Sequence, residues 1–234
     1  MKNINQSKET NVTKVFDDVF SKYDLMNDIM SFGAHRIWKN KLIDWMNPGK
    51  NDHAIDIASG TGDIAKAILR RTNFTGIVKC VEPNKNMLEI GKKKLEKFKN
   101  VKWFCSSAEK LPFKDETFDI YVVSFGIRNF SNINVALKES KRVLKTGGRF
   151  LCLEFSKVNN EVLSIIYERY SKLIPHLGKY IVGKSEPYDY LIKSINDFYS
   201  QDELLSLIKS TGFENTEYRD LSGGIAAIHS GWKI

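Results

Sequence analysis

The stretch Ala54–Ala65, AIDIASGTGDIA, constrains this chain more than any other. A short apolar run carries an acid, turns through Ser59, Gly60, Thr61 and Gly62, and resumes with helical spacing at Asp63. Strand, glycine turn and helix in that order open a nucleotide-binding α/β domain. Gly60 and Gly62 have no Cβ, so the backbone there can pass close beneath a ligand. A βα turn that uses glycine only for close packing has the same pattern, so the nearby charges must decide. A dinucleotide turn offers helix N–H groups to a pyrophosphate and favours negative charge. Here Asp56 and Asp63 flank the turn with no Lys or Arg between them, a field that repels a diphosphate.

A phosphate-free ligand carrying an amine and a sulfonium suits such a field. The next apolar run, Gly76–Val81, ends at Glu82. That acid lies roughly 20 positions past the glycines, where a carboxylate accepts from ribose hydroxyls. Together these features predict an S-adenosyl-L-methionine site built on Asp56, Gly60, Gly62 and Glu82. The opening resembles motif I of the class I methyltransferases.

The chain has 234 residues, 42% of them hydrophobic, which is enough for one well-cored domain. No window approaches the roughly 18 consecutive apolar residues of a membrane span. The polar, arginine-free start MKNINQSKET predicts neither a secretory signal nor a mitochondrial presequence. Cys80, Cys105 and Cys152 lie in apolar runs without C-x-x-C spacing, so buried free thiols in a reducing cytoplasm are expected. The formal charge of +8 invites a nucleic-acid or anionic-membrane partner. Its densest run, Lys92–Lys99, falls on an amphipathic pattern and reads as a solvated face. No metal-ligating His/Cys cluster is seen.

Ahead of the glycine turn, Val15, Phe16, Val19, Phe20 and Tyr23 recur at helical spacing, and Ile37–Met46 repeats the pattern. These helices, residues 10–46, are expected to lie over the mouth of the main domain. From residue 53 to 156 strands and helices alternate: strands at Ile55–Ala58, Ile77–Val81, Val101–Cys105, Asp119–Ser124 and Arg149–Glu154. Helices begin at Asp63, near Asn84 and at Ser131, the last running to Lys145 and stopped by Gly147 and Gly148. Crossover helices between successive strands argue for a doubly wound, mostly parallel sheet. Residues 157–234 change character. Helices are expected at Glu161–Ile174, Leu191–Phe198 and Asp202–Ser210. Two strands, Glu214–Leu221 and Gly224–His229, then form an antiparallel hairpin. The whole chain, residues 1–234, reads as a single α/β domain.

Two segments outside the glycine turn are more distinctive. Tyr23–Lys39 reads YDLMNDIMSFGAHRIWK and Arg142–Ser156 reads RVLKTGGRFLCLEFS. Both resemble signature segments of the ubiquinone/menaquinone biosynthesis C-methyltransferases, the UbiE/MenG family, and the resemblance extends from about Val15 to the C-terminal GWKI. It implies a seven-stranded class I methyltransferase fold and methyl transfer to a ring carbon of a prenylated quinol. By position it assigns cofactor contacts to Thr61, Glu82, Ser107, Ala108 and Ser124. Glu82 stands where the family more often has Asp, Ser59 replaces a common Gly, and Thr146 replaces a common Pro.

Methyl transfer from a sulfonium is an in-line displacement that needs donor and acceptor held in line. A ring carbon becomes nucleophilic when a ring hydroxyl ionises, so the site needs a base or a cation facing the oxyanion. Arg128, on the loop after the fourth strand, is the candidate cation, and His35 the candidate base. Tyr23, Arg36, Trp38, Asn129, Tyr188 and Tyr190 are the candidate walls of the acceptor pocket. The loop Ser124–Phe130 lacks the Pro-Pro motif of amine-directed methyltransferases, and no cysteine follows a proline as in cytosine-C5 enzymes. An RNA or protein methyltransferase and a non-catalytic S-adenosylmethionine-binding scaffold stand as the alternatives. The expected partners are a prenylated quinol, the membrane surface in passing, and a second copy or other quinone-biosynthesis enzymes, with no nucleic acid. The expected location is the cytoplasm, peripheral on the inner face of the membrane.

Overall fold

A computed structural model describes residues 28 and 31 and residues 33–158 and 186–234. Within them the chain runs α1 (Ala34–Met46), β1 (His53–Ile57), α2 (Asp63–Arg71), β2 (Ile77–Val81), α3 (Lys85–Lys94), β3 (Val101–Phe104) and β4 (Phe118–Ser124). A 3-10 turn (Ile127–Asn129) follows, then α4 (Ile133–Val143), β5 (Leu144–Phe155), α5 (Glu186–Asn196), α6 (Gln201–Ser210), β6 (Glu214–Leu221) and β7 (Ala226–Trp232). The expected helices at Val15–Tyr23 and Glu161–Ile174 lie outside the described residues.

Seven strands form one sheet in the order β3-β2-β1-β4-β5-β7-β6. The first five pair in parallel, and β7 enters antiparallel between β5 and β6. The hairpin expected from Ser222–Gly224 is therefore present, with β7 extending three residues beyond the expected end at His229.

Alternation along the strands divides the core between the two faces of the sheet. Ala54, Val78, Cys80, Ile120, Val122, Leu151 and Leu153 pack on one side with Trp38 and Leu42 of α1 and Ile64 and Ile68 of α2. Ile55, Ile57, Val81, Tyr121, Val123 and Phe150 pack on the other with Ala136 and Leu137 of α4 and Leu204 and Ile208 of α6. Polar side chains set the helix starts: Asn84 accepts from the Met87 N–H at 3.0 Å, and Ser200 forms a capping box with Glu203. Helix α3 lies so close to β3 that a Cβ on Gly91 would collide with the Trp103 ring.

Several expected bounds and one expected burial need correction. Helix α4 ends at Val143, not Lys145, because Leu144 is already extended and buried opposite Phe118 as the first residue of β5. Gly147 and Gly148 consequently sit at an irregularity within β5 rather than at a helix end, and the Gly147 N–H donates to the Lys233 carbonyl at 2.7 Å. Cys80 and Cys152 are buried as expected, but Cys105 is exposed. Strand β3 stops one residue earlier, at Phe104, so Cys105 begins the loop at the sheet edge.

Candidate active site

The parallel strands leave their carboxyl ends at one edge of the sheet. The connections from β1 and β4 diverge there, where open α/β sheets bind ligands. A cleft of about 480 Å³ opens at this edge, within the size range of small-molecule sites. Asp56, Gly60, Thr61, Glu82, Ser107, Ala108, Ser124 and Asn129, all expected at the site, line it.

Glu82 does more than its position suggested. Its buried carboxylate accepts from the Gly60 N–H at 2.8 Å and from the Asn84 N–H at 2.9 Å, bracing the glycine turn against the start of α3. Burial pushes this carboxyl up from its ordinary range, and the two backbone donors oppose that rise. Two N–H groups of the turn are already engaged, Gly60 by Glu82 and Gly62 by the Ser59 carbonyl at 2.8 Å. A phosphate cradle needs those donors free. Ser59 also fits where the related pattern has glycine, since its hydroxyl donates to the Val81 carbonyl at 3.2 Å.

Gly62 departs from expectation. It does not line the cleft but turns behind it at φ 85°, where a Cβ would meet Leu95 at 2.8 Å and Trp103 at 3.1 Å. Its role is close packing in a left-handed conformation, while Gly60 faces the cleft.

The charges also differ from the count along the chain. Burial pushes Asp56 up to about 8, against a hydrogen bond from the Ala65 N–H, so at neutral pH it is mostly protonated. Burial would raise Asp63 too, but Lys39 and Lys94 reverse that and hold it down at about 2. Their ammonium groups lie 3.0 and 2.6 Å from its two oxygens. The diphosphate-repelling field inferred from two acids is thus weaker than it looked, and the occupied N–H groups carry the exclusion instead. Lys39 lines the cleft yet drew no notice in the sequence, where it is one lysine among many. Only its place at the end of HRIWK, one helical face away from buried Trp38, hinted at it.

The walls hold two further signs of a ligand site. Ala58 and Phe125, which follow β1 and β4, both have left-handed backbone at φ 51° and 55°. Strain at non-glycine positions of this kind gathers at functional sites. The Ser124 hydroxyl is buried on the cleft wall without a hydrogen-bond partner. A ligand there would supply the contact that such a group otherwise lacks. A sulfonium donor bearing ribose hydroxyls, an ammonium and a carboxylate fits this set, with Glu82 beside the turn and carboxylates on the wall.

The candidate acceptor residues are dispersed. Arg128 is buried, does not line the cleft, and is paired with buried Glu154 of β5 while also donating to the Phe125 carbonyl at 2.9 Å. A guanidinium placed there must be paired, because an isolated buried charge costs several kcal/mol, on the order of 3–5. Burial pushes Glu154 up and Arg128 beside it opposes the rise. His35 is buried too, 3.1 Å from the Ser31 hydroxyl and 3.7 Å from Asp28, and does not line the cleft. Arg36 points outward to Asp28 at 2.7 Å. Trp38 is core: its indole N–H donates to Ser222 at 3.0 Å and its ring meets Phe155 edge-on at 6.0 Å. Helical periodicity brings Trp38 and His35 to the inner face of α1, and that inner face rests on the sheet rather than on the cleft. Tyr188 is fully buried in the same core, whereas Tyr190 donates its hydroxyl to Asn129 at 3.0 Å at the cleft wall. Tyr23 lies outside the described residues.

Among known proteins, the model of the ubiE/COQ5 methyltransferase family matches residues 4–233. The ubiquinone/menaquinone biosynthesis C-methyltransferase UbiE of Rickettsia bellii (strain OSU 85-389) is 49% identical over 97% of this chain and 94% of its own. UbiE of Brucella anthropi is 46% identical over 97% of this chain and 89% of its own. Among solved structures, a possible histamine N-methyltransferase of Thermotoga maritima matches with TM-score 0.67 at 23% identity, covering 95% of this chain and 99% of that one. A SAM-dependent methyltransferase of Aquifex aeolicus matches with TM-score 0.67 at 17% identity, over 92% and 97%. At such identities the structural likeness speaks for the fold.

Proposed function

Since this chain belongs to the ubiE/COQ5 methyltransferase family, we propose that it transfers a methyl group from S-adenosyl-L-methionine to a ring carbon of a prenylated quinol in ubiquinone or menaquinone biosynthesis. The observation that carries this reading is the cleft itself. Glu82 braces the glycine turn, and the unpartnered Ser124 hydroxyl sits on the opposite wall. The donor, when bound, supplies an electrophilic methyl on a sulfonium that leaves neutral.

The chain's own task is alignment and charge. Glu82 keeps lone pairs for ribose hydroxyls after accepting its two backbone N–H groups. Ser107 and Ala108, which follow β3, would hold the adenine side, and Gly60 and Thr61 would hold the methionine side. The acceptor ring enters beside the β4 loop, next to Asn129 at the end of its 3-10 turn. Because the Asn129 carbonyl oxygen is taken by Tyr190, its amide N–H groups remain to donate to a ring oxygen. The Arg128 guanidinium is held by Glu154 behind this loop, its charge balanced there, and so fixes the loop that carries Asn129. Such preorganised donors stabilise an oxyanion most as its charge grows. The base that removes the ring proton is not assigned to His35, which is committed to Ser31 and Asp28.

A prenylated acceptor lives in a bilayer, and among the described residues no helix is long and apolar enough to cross one. This reading therefore includes reversible contact with the membrane surface. Ile37 of α1, 62% exposed beside the exposed Arg36, supplies an apolar side chain next to a cation for it. In this reading the chain is one methyltransferase domain, with Lys39 of α1 at the edge of its cleft.

Only the hydroquinone has a hydroxyl to ionise, since the oxidised ring is electrophilic. Purified protein given donor with a labelled methyl should label a reduced demethylated quinone and leave the oxidised form unlabelled. Equal labelling of both forms would overturn this chemistry.

A further inference from the structure

We propose that Lys39 binds the carboxylate of the methyl donor's amino-acid moiety, so that α1 closes the methionine end of the cleft. This rests on the reading of the cleft as an S-adenosylmethionine site. Among the described residues that line it, Lys39 is the one cation, facing Asp56, Asp63, Glu82 and Glu109. The donor carries two cationic centres, an ammonium and a sulfonium, and one carboxylate. For the carboxylate, the wall offers Lys39.

The placement of its ammonium supports this. The Lys39 side chain is 16% exposed, and its Nζ lies 3.0 Å from one oxygen of Asp63, in the first turn of α2 just past the glycine turn. Asp63 does not depend on it, because Lys94 reaches the other oxygen at 2.6 Å. One carboxylate thus stands between two ammonium groups, leaving a net positive charge at the cleft edge. An ammonium has three donors, and Asp63 takes one of those of Lys39. The backbone competes little for an incoming carboxylate, since the N–H groups of Gly60 and Gly62 are already engaged. Helix α1 also packs Trp38 into the core beside Lys39, so the ammonium is delivered from a fixed base.

Calorimetry with two ligands tests the assignment: S-adenosylmethionine and its decarboxylated form, which differ in that carboxylate alone. The native protein should bind the intact donor about 10- to 100-fold more tightly, the range of a charge-assisted hydrogen bond. Lys39→Met should shrink that preference to roughly threefold or less by weakening the intact donor alone, and Lys39→Arg should keep most of it. A native protein without the preference overturns the proposal, and that measurement depends on no variant's folding. So does a Lys39→Met protein that weakens both ligands equally or neither. Binding of neither ligand by the native protein would instead remove the cofactor reading, and this proposal with it.

Discussion

Arg128 shows how far a single residue can be read from its position. The chain places it just past β4 beside the cofactor turn, which suggests direct contact with the acceptor. Glu154 is silent in that reading, because nothing in RFLCLEFS says that its carboxylate turns inward to the preceding loop. In the folded protein the two form a buried pair, and the Arg128 side chain also stands 5.6 Å from the Phe155 ring. Removing one partner of such a pair leaves the other charged and desolvated. Arg128→Ala should therefore cost about 3–5 kcal/mol of stability, and Arg128→Lys less, because an ammonium keeps the charge but cannot reproduce the planar fork. Urea unfolding of both variants checks this. An alanine variant within about 0.5 kcal/mol of the native protein would show that the pair does not hold the loop. Glu82 and Ser124, by contrast, sit where strand ends place them, and both were legible. A strand end fixes a side chain's direction; a loop arginine finds its partner only when distant strands meet.

Among the elements, β7 and α6 are joined by His229, whose Nε2 lies 2.9 Å from the Gln201 carbonyl at the start of α6. That carbonyl requires an N–H on Nε2, so Nδ1, buried without a partner, is the unprotonated nitrogen. Burial lowers the imidazole pKa to about 4, against the opposing pull of the Gln201 carbonyl, Asp220 and Asp202. The unfolded chain binds the proton near pH 6.5 and the folded protein only near pH 4. As pH falls through that window the unfolded state gains a proton first, so stability is lost on acidification. The loss amounts to about 3 kcal/mol and is complete below the folded value. Unfolding free energies of native and His229→Gln proteins between pH 7 and 4 should diverge by that amount, the native falling more steeply. Parallel curves would contradict the assignment. The element boundaries explain what else was legible. Strands β2 and β6 match the expected residues throughout and helix α2 begins where expected, because apolar periodicity and glycine or acid punctuation coincide there. The expected helix Ser131–Lys145 overruns α4 by two residues at each end, at the C-terminal end because Gly147 and Gly148 look like a stop. The stop is Leu144 joining β5, a tertiary event without a local signal.

For the whole molecule, strand alternation followed by a late hairpin gave the sheet and the direction of β7. Family membership rests on similarity along nearly the full chain, not on the glycine turn. The net charge of +8, which by itself invites a nucleic-acid or anionic-membrane partner, resolves in part into paired and solvated lysines such as Lys92 with Glu89. The central claim is that this cleft methylates a quinol ring carbon. The most direct test is mass spectrometry of quinones from a bacterial strain whose own quinone C-methyltransferase has been deleted, with and without this chain expressed. Demethylated quinone should accumulate in its absence, and expression should convert that pool to a product one methyl group heavier, with label from methyl-labelled methionine on the ring. A pool that stays demethylated while the folded protein is present and binds S-adenosylmethionine would contradict the account.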